Sequence, residues 1–335
     1  MSGRAPAIDA SGRVLLMVGN GRNDMLASGT RNFGNSLLAL DPVSLAVLDF
    51  FTPEKHLAIN ALDLDLGGSG PLVIPNSSLV VGGGKEGVMH VWNLGALGGI
   101  SPGDRNVVQK FVAGITKHVH DTGEDNPGGA ITSEYVIGFV TRSGRNFYDH
   151  AGHIMGGPVY WPRPASEGGS RLYNWSEWSE LRSYAVDPAA SPPVREPAIS
   201  VSSEIQNGHP GGILTLSANG GKAGTGIVWA TNYDVAGTSA PTGNGPTGAL
   251  ISVVRGTLLA YNADDLSRPL WTSDMNPMGI YWYYAKFNLP TVANGRVYLP
   301  TFSDGIVVFG LRNHQYKRPL ATAIAPIDDL LLGDE

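Results

Sequence analysis

The chain has 335 residues, 42% of them hydrophobic, with 23 Lys and Arg against 29 Asp and Glu and no cysteine at all. That apolar content is ample for one large core or two smaller ones. The charge balance excludes a basic stripe for nucleic acid, and the missing thiols exclude disulfides, thiolate metal sites, cysteine nucleophiles and covalent haem attachment.

At the N-terminus the only apolar run is Val14 to Val18, too short for a signal-peptide core or a membrane span, so no export address and no membrane span are expected. Strand patterns then begin. "PAIDASGRVLLMVGNG" (6–21) with "NSLLALDPVSLAVLDFF" (35–51) reads as short apolar strands separated by turns. The pattern returns as "PLVIPNSSLVVGGGKEGVMHVWNL" (71–94) and "PVYWPRPASEGGSRLYNWSEWSELRSYAVDP" (158–188). It returns again as "GILTLSANGGKAGTGIVWATNY" (212–233) with "GTLLAYNADDLSRPLW" (256–271).

The fifth copy, "LPTVANGRVYLPTFSDGIVVFGL" (289–311), has Asn294-Gly295 and Asp304-Gly305 between β-branched and aromatic residues, the signature of tight hairpins. Copies begin at 6, 71, 158, 212 and 290, and the third strand of several ends in a small motif: Leu38-Ala39-Leu40-Asp41, Tyr184-Ala185-Val186-Asp187, Leu259-Ala260-Tyr261-Asn262. Val107 to Ile115 has a helical stripe as well as a strand pattern, and its place after "VMHVWNL" favours a fourth strand. Residues 116–150 carry no strand pattern of their own.

Four antiparallel strands per repeat, repeated about an axis, is the arrangement of a β-propeller. The expectation is an all-β protein: about five four-stranded antiparallel blades over residues 1–311, almost no helix, and a C-terminal tail over 312–335. The fifth copy lacks an obvious fourth strand. Either the tail supplies it, or the chain is an arc of a larger propeller whose end blades would then self-associate.

The repeat resembles that of pyrroloquinoline quinone (PQQ) proteins, the quinoprotein alcohol dehydrogenase-like propellers. "LDLGGSGPLVIP", "VVGGGKEG", "GGPVYW", "GTLLAYNADDL" and "YAKFNLPTVANGRVYLPTF" are similar to a microbial subgroup of that family without an agreed activity. The resemblance covers nearly all of residues 6–311. It implies seven or eight blades, an extracellular or periplasmic setting, and PQQ and calcium as cofactors. The vicinal cysteine pair with which those dehydrogenases grip PQQ has no counterpart here.

Propeller geometry gathers the loops leading into each first strand, and the turns between second and third strands, onto one face. The first group contains Asp63, Asp65, His150, His153, Glu204, His209, Tyr284 and Lys286; the second contains Lys85, Glu177, Asp234 and Asp304. Lys85, His153, Glu177, His209 and Lys286 are the candidate ligand-binding residues, with both lysines suited to an anionic cofactor, or else solvated on loops. Asp63 and Asp65, two apart in an extended segment, are candidate calcium ligands; an Asx turn is the competing reading. His118-x-His120 and His150-x-x-His153 have metal-ligand spacing but no assigned third ligand. "GGGKEG" fails the phosphate-loop spacing. Two functions follow: a quinoprotein-like oxidoreductase, or a non-catalytic propeller binding a small polar molecule, glycan or protein.

Overall fold

Glycine-punctuated repeats of this kind can only bury their apolar residues as sheets stacked face to face, and that is the arrangement in a computed structural model of the chain. It describes residues 4–114, 152–206, 208–233, 253–275 and 281–311. Blade one comprises β1 (Ala7–Ile8), β2 (Val14–Met17), β3 (Leu37–Leu40) and β4 (Val47–Phe51). Blade two comprises β5 (Leu72–Val73), β6 (Leu79–Gly83), β7 (Val88–Asn93) and β8 (Val107–Val112). Blade three is β9 (Val159–Trp161), β10 (Ser170–Asn174), β11 (Glu180–Val186) and β12 (Ser200–Ile205). Blade four is β13 (Ile213–Ser217), β14 (Ile227–Tyr233), β15 (Gly256–Asn262) and β16 (Asp265–Thr272). Blade five has three strands among the described residues: β17 (Thr291–Ala293), β18 (Arg296–Pro300) and β19 (Ile306–Gly310).

Each sheet is an antiparallel meander in chain order, so the fold is all-β and β-propeller-like, with five blades among the described residues. Each blade opens one residue after the repeat start read from the sequence. Residues 107–112 form the fourth strand of blade two, not a helix. The hairpin turns of blade five use the left-handed backbone that Asn-Gly and Asp-Gly tolerate: φ is 50° at Asn294, 72° at Gly295 and 58° at Asp304.

The small motif at the end of the third strands acquires a physical meaning. Its last residue turns the chain toward the fourth strand by accepting a backbone N–H two residues on. Asp41 accepts from Val43 at 3.0 Å, Asp187 from Ala189 at 3.0 Å and Asn262 from Asp264 at 3.0 Å. Asn93 does the same for Gly95 at 2.9 Å in blade two.

Neighbouring residues on a strand point to opposite faces, and both faces are buried. Leu172 packs toward blade two, with Val81, Met89, Val91, Phe111 and Ile154. The next residue, Tyr173, packs toward blade four with Trp161, Trp175, Leu214, Val228 and Tyr261. Further seams join blade one to blade two around Leu15, Phe51, Val80 and Trp92, and blade four to blade five around Tyr233, Leu258, Trp282 and Leu299. First strands adjoin one another, β1 beside β5 and β13 beside both β9 and β17. From the start of blade one, Arg4 donates to the carbonyls of Gly156 at 2.6 Å and of Gly157 and Leu214 at 3.1 Å, on the inner edges of blades three and four. Burial lowers its pKa to about 10.

The described residues are helix-poor, as expected, with one short α-helix, α1 (His56–Ala61), between blades one and two. One expectation needs correction. Glu204, read as part of a lead-in loop, lies on β12, the outermost strand of blade three. The proposed tail 312–335 lies outside the described residues, and no helix among those described is long and apolar enough to cross a membrane.

Because Leu172 is fully buried between two blades, Leu172→Ala should cost about 2–5 kcal/mol. Denaturant unfolding should show this as a lower midpoint, and an unchanged midpoint would contradict the packing described.

Candidate functional site

The seams also align the loops. In blade two, the turn after β6 donates the Lys85 N–H to the Asp65 carbonyl at 2.9 Å; in blade three, the turn after β10 donates the Glu177 N–H to the His153 carbonyl at 3.1 Å. Asp65 and His153 are therefore equivalent lead-in positions, and Lys85 and Glu177 equivalent turn positions. A second bond crosses each seam: Ile154 N–H to Gly84 O at 3.0 Å, and Gly212 N–H to Trp175 O at 3.0 Å. Thus the turn of one blade touches both its own lead-in loop and that of the next blade.

In blade two the side chains at these positions neutralise one another. The Lys85 ammonium lies 2.8 Å from Asp63 Oδ2 and 2.6 Å from Asp65 Oδ2. The other carboxylate oxygens accept from Asn20 of blade one, Asp65 Oδ1 from its N–H at 2.5 Å and Asp63 Oδ1 from its side-chain amide at 2.6 Å. Burial opposes the charge on Lys85, but the two carboxylates outweigh it and raise its pKa above the ordinary lysine value. All four oxygens are thus engaged by protein donors. A calcium site needs six to eight oxygen ligands around one ion, and Asp63 with Asp65 does not fit one. The cation these two carboxylates hold in the structure is the Lys85 ammonium.

Blade three has the opposite outcome. Glu177 lies between two imidazoles, with Oε2 3.0 Å from His153 Nδ1 and Oε1 2.9 Å from His209 Nδ1. His209 comes from the lead-in loop of blade four, so the cluster spans the seam. The side chains of His153 and Glu177 are buried, at 2% and 5% exposure, while His209 reaches 16%. Burial alone would raise the Glu177 pKa; His153 first, then His209, reverse this and bring it down to about 2.

The surrounding backbone is held in costly conformations. Trp178, immediately after Glu177, has φ 54°, and Phe287, whose ring meets that of His209 edge-on at 5.7 Å, has φ 65°. Left-handed backbone costs a bulky residue about 1–2 kcal/mol. Gly208 precedes His209 at φ 116°, where a Cβ would press on the Trp178 ring and the Tyr233 hydroxyl. Tyr284, from the lead-in loop of blade five, donates to Gly211 O at 3.3 Å and has its pKa raised, by burial first and by Glu177 among the charges.

Of the sequence-derived candidates, the structure therefore brings His153, Glu177 and His209 together, and Lys85 separately with Asp63 and Asp65. Lys286 stands one residue before Phe287, on the loop that flanks His209. His118, His120, His150 and Asp234 lie outside the described residues. Sequence reasoning missed Asn20, and it missed Glu86, beside Lys85 in the same turn. Glu86 is only 5% exposed, and burial raises its carboxyl to about 7, with Lys110 acting in the opposite direction. A single acidic letter in a glycine-rich turn gives no sign of that burial. No family model matches the chain, and no curated protein matches it either.

The two carboxylates should have opposite pH signatures. Glu86, with its folded pKa raised from 4.5 to about 7, holds its proton longer in the folded state, so stability falls as pH rises through that window. Glu86→Gln should flatten the decline in melting temperature between pH 5 and 8; parallel profiles would remove Glu86 as its source. Glu177, lowered from 4.5 to about 2, contributes stability above the unfolded value that is lost as pH falls through the folded one. Thermal melts between pH 5 and 2 should show a shallower acid decline in Glu177→Gln than in wild type, whatever the difference at neutral pH.

Proposed function

We propose that the protein is a PQQ-like β-propeller protein that binds a small polar molecule at the seam of blades three and four, without quinone redox chemistry. The observation that carries this reading is the convergence of His153, Glu177 and His209. Three ionisable side chains from two blades meet within ion-pair distance on a face where only His209 retains appreciable exposure. Clusters of this kind, in which burial and specific charged partners move a pKa together, are favoured places for binding.

The oxidoreductase reading has less support. Its calcium pair is occupied by Lys85 and Asn20, its cysteine clamp is missing, and Lys85, one of the two lysines suited to a polyanionic quinone, is paired internally. In the binding reading, the histidines fix the Glu177 carboxylate. The partly exposed edge of His209 then offers a hydrogen bond, and the Phe287 and Trp178 rings limit what can approach.

The test is a thermal-shift panel of carboxylates, polyols and saccharides, run in parallel on wild type and His209→Ala. At least one class should raise the wild-type melting temperature and leave the variant unmoved. Equal shifts in the two proteins would remove this seam as the site, and a retained quinone spectrum after incubation with PQQ and calcium would restore the oxidoreductase reading.

A further inference from the structure

We propose that His153, Glu177 and His209 form a three-ligand site for one divalent first-row transition metal ion, of the zinc type, bridging blades three and four. The inference rests on the reading that this seam is a binding site, and adds the ion through which a polar molecule would be held there.

Geometry comes first. One ligand atom from each of the three residues lies within 4.8 Å of the other two, and the closest pairs, each histidine Nδ1 with a Glu177 oxygen, stand at 3.0 and 2.9 Å. In a tetrahedral zinc site with metal–ligand bonds of about 2.0–2.2 Å, adjacent ligand atoms are about 3.3 Å apart. The two short contacts run to different oxygens of Glu177, so the carboxylate would turn to offer one oxygen to an ion held between the two Nδ1 atoms. The backbone need not move: Glu177 N–H to His153 O and Gly212 N–H to Trp175 O already fix the three loops to one another.

Donor chemistry selects the ion. Two imidazoles and one carboxylate suit zinc and its first-row neighbours, whereas calcium and magnesium prefer oxygen ligands in larger number. Electrostatics point the same way. A divalent ion held between the two Nδ1 atoms would place its charge directly beside the buried Glu177 carboxylate. Three protein ligands leave a tetrahedral ion one further position. The exposure of His209, against the burial of His153 and Glu177, places the approach to the cluster on the His209 side.

The blade-two cluster is an internal contrast at equivalent positions. There the turn residue is Lys85, and an ammonium within 3 Å of both carboxylates already supplies the positive charge. In blade three the turn residue is an acid, and the lead-in residues that meet it, His153 from its own blade and His209 from the next, are imidazoles, so the side chains brought together are metal donors.

The test uses the full chain stripped with a chelator and then titrated with cobalt(II), whose four-coordinate complexes absorb in the visible, followed by zinc. One equivalent of cobalt should develop this absorption and be displaced by zinc, and zinc should raise the melting temperature. His209→Asn, at the most exposed ligand, should keep the wild-type circular dichroism spectrum and weaken zinc binding at least tenfold, about 1.4 kcal/mol. Glu177→Gln should do the same, and His56→Gln should leave binding unchanged. No zinc-displaceable absorption, equal zinc affinity in His209→Asn and wild type, or equal displacement by calcium would each overturn the metal site. Repeating the thermal-shift panel on the chelated protein separates the two ideas: ligand shifts that persist without metal leave the binding seam standing even where the metal assignment fails.

Discussion

A four-stranded blade has two faces, and in blades two, three and four both are apolar and each packs on a neighbouring blade. This constraint organises the molecule. It makes strands read as runs of hydrophobic residues, because consecutive side chains such as Leu172 and Tyr173, or Leu258 and Leu259, each belong to a different seam. It also fixes where one blade stands against the next, because large rings at the interfaces leave little room for sliding: Trp92 and Phe51 meet across the first seam at 5.5 Å, and Trp175 and Tyr261 across the third at 6.1 Å. Once the seams are set, the loops have no choice of neighbour. The turn of one blade lies against the lead-in loops of its own and the following blade, and backbone hydrogen bonds tie them together.

That repeated scaffold is filled with different chemistry at each seam. At blade two the equivalent positions carry Asp65 and Lys85, which pair and cancel; at blade three they carry His153 and Glu177, with His209 added from blade four. The backbone bond beneath both pairs is nearly the same, 2.9 and 3.1 Å. Changing the side chains at these positions on a nearly unchanged frame, with His209 added from the next blade, replaces an internal ion pair with a cluster of donors, as expected where loops rather than strands carry the chemistry.

How much of this is legible in the sequence depends on how local the cause is. Strand starts and hairpin turns are local: Asn294-Gly295 and Ser303-Asp304-Gly305 declare their turns through backbone preference alone, and five repeats align to within a residue of the blades. The convergence of His153, Glu177 and His209 is legible at one remove, since propeller topology sends those loops to one face. What topology does not specify is position around that face. Lys85, Asp63 and Asp65 belong to the same set of loops, yet it takes the seam between blades one and two to put Asn20 and Lys85 on the two carboxylates. Glu204 was hidden for another reason. The link between β11 and β12 contains Pro188, Pro192, Pro193 and Pro197, and the strand itself, Ser200–Ile205, is too polar to declare a blade's outer edge. The helix α1 is six residues long, with a single buried side chain, Ile59, and carries little amphipathic signal.

Burial by itself does not identify the site. Glu86 and Glu177 are both buried acids in equivalent second-to-third turns of adjacent blades, at 5% and 4% exposure, yet their titration moves in opposite directions, up to about 7 and down to about 2. For Glu86 the low-dielectric interior dominates: the nearby charges, Lys110, Asp104 and Lys55, partly oppose one another, and the neutral acid is favoured. For Glu177 the same desolvation is outweighed because two imidazoles sit at hydrogen-bonding distance, one from its own blade and one from the next. The distinction is therefore made by the seam. An acid whose partners are remote is a cost tolerated within one blade, whereas an acid gripped from two blades ties the arrangement of those blades to whatever the cluster binds. A ligand or ion that engages His153, Glu177 and His209 would stabilise the contact between blades three and four as well as itself.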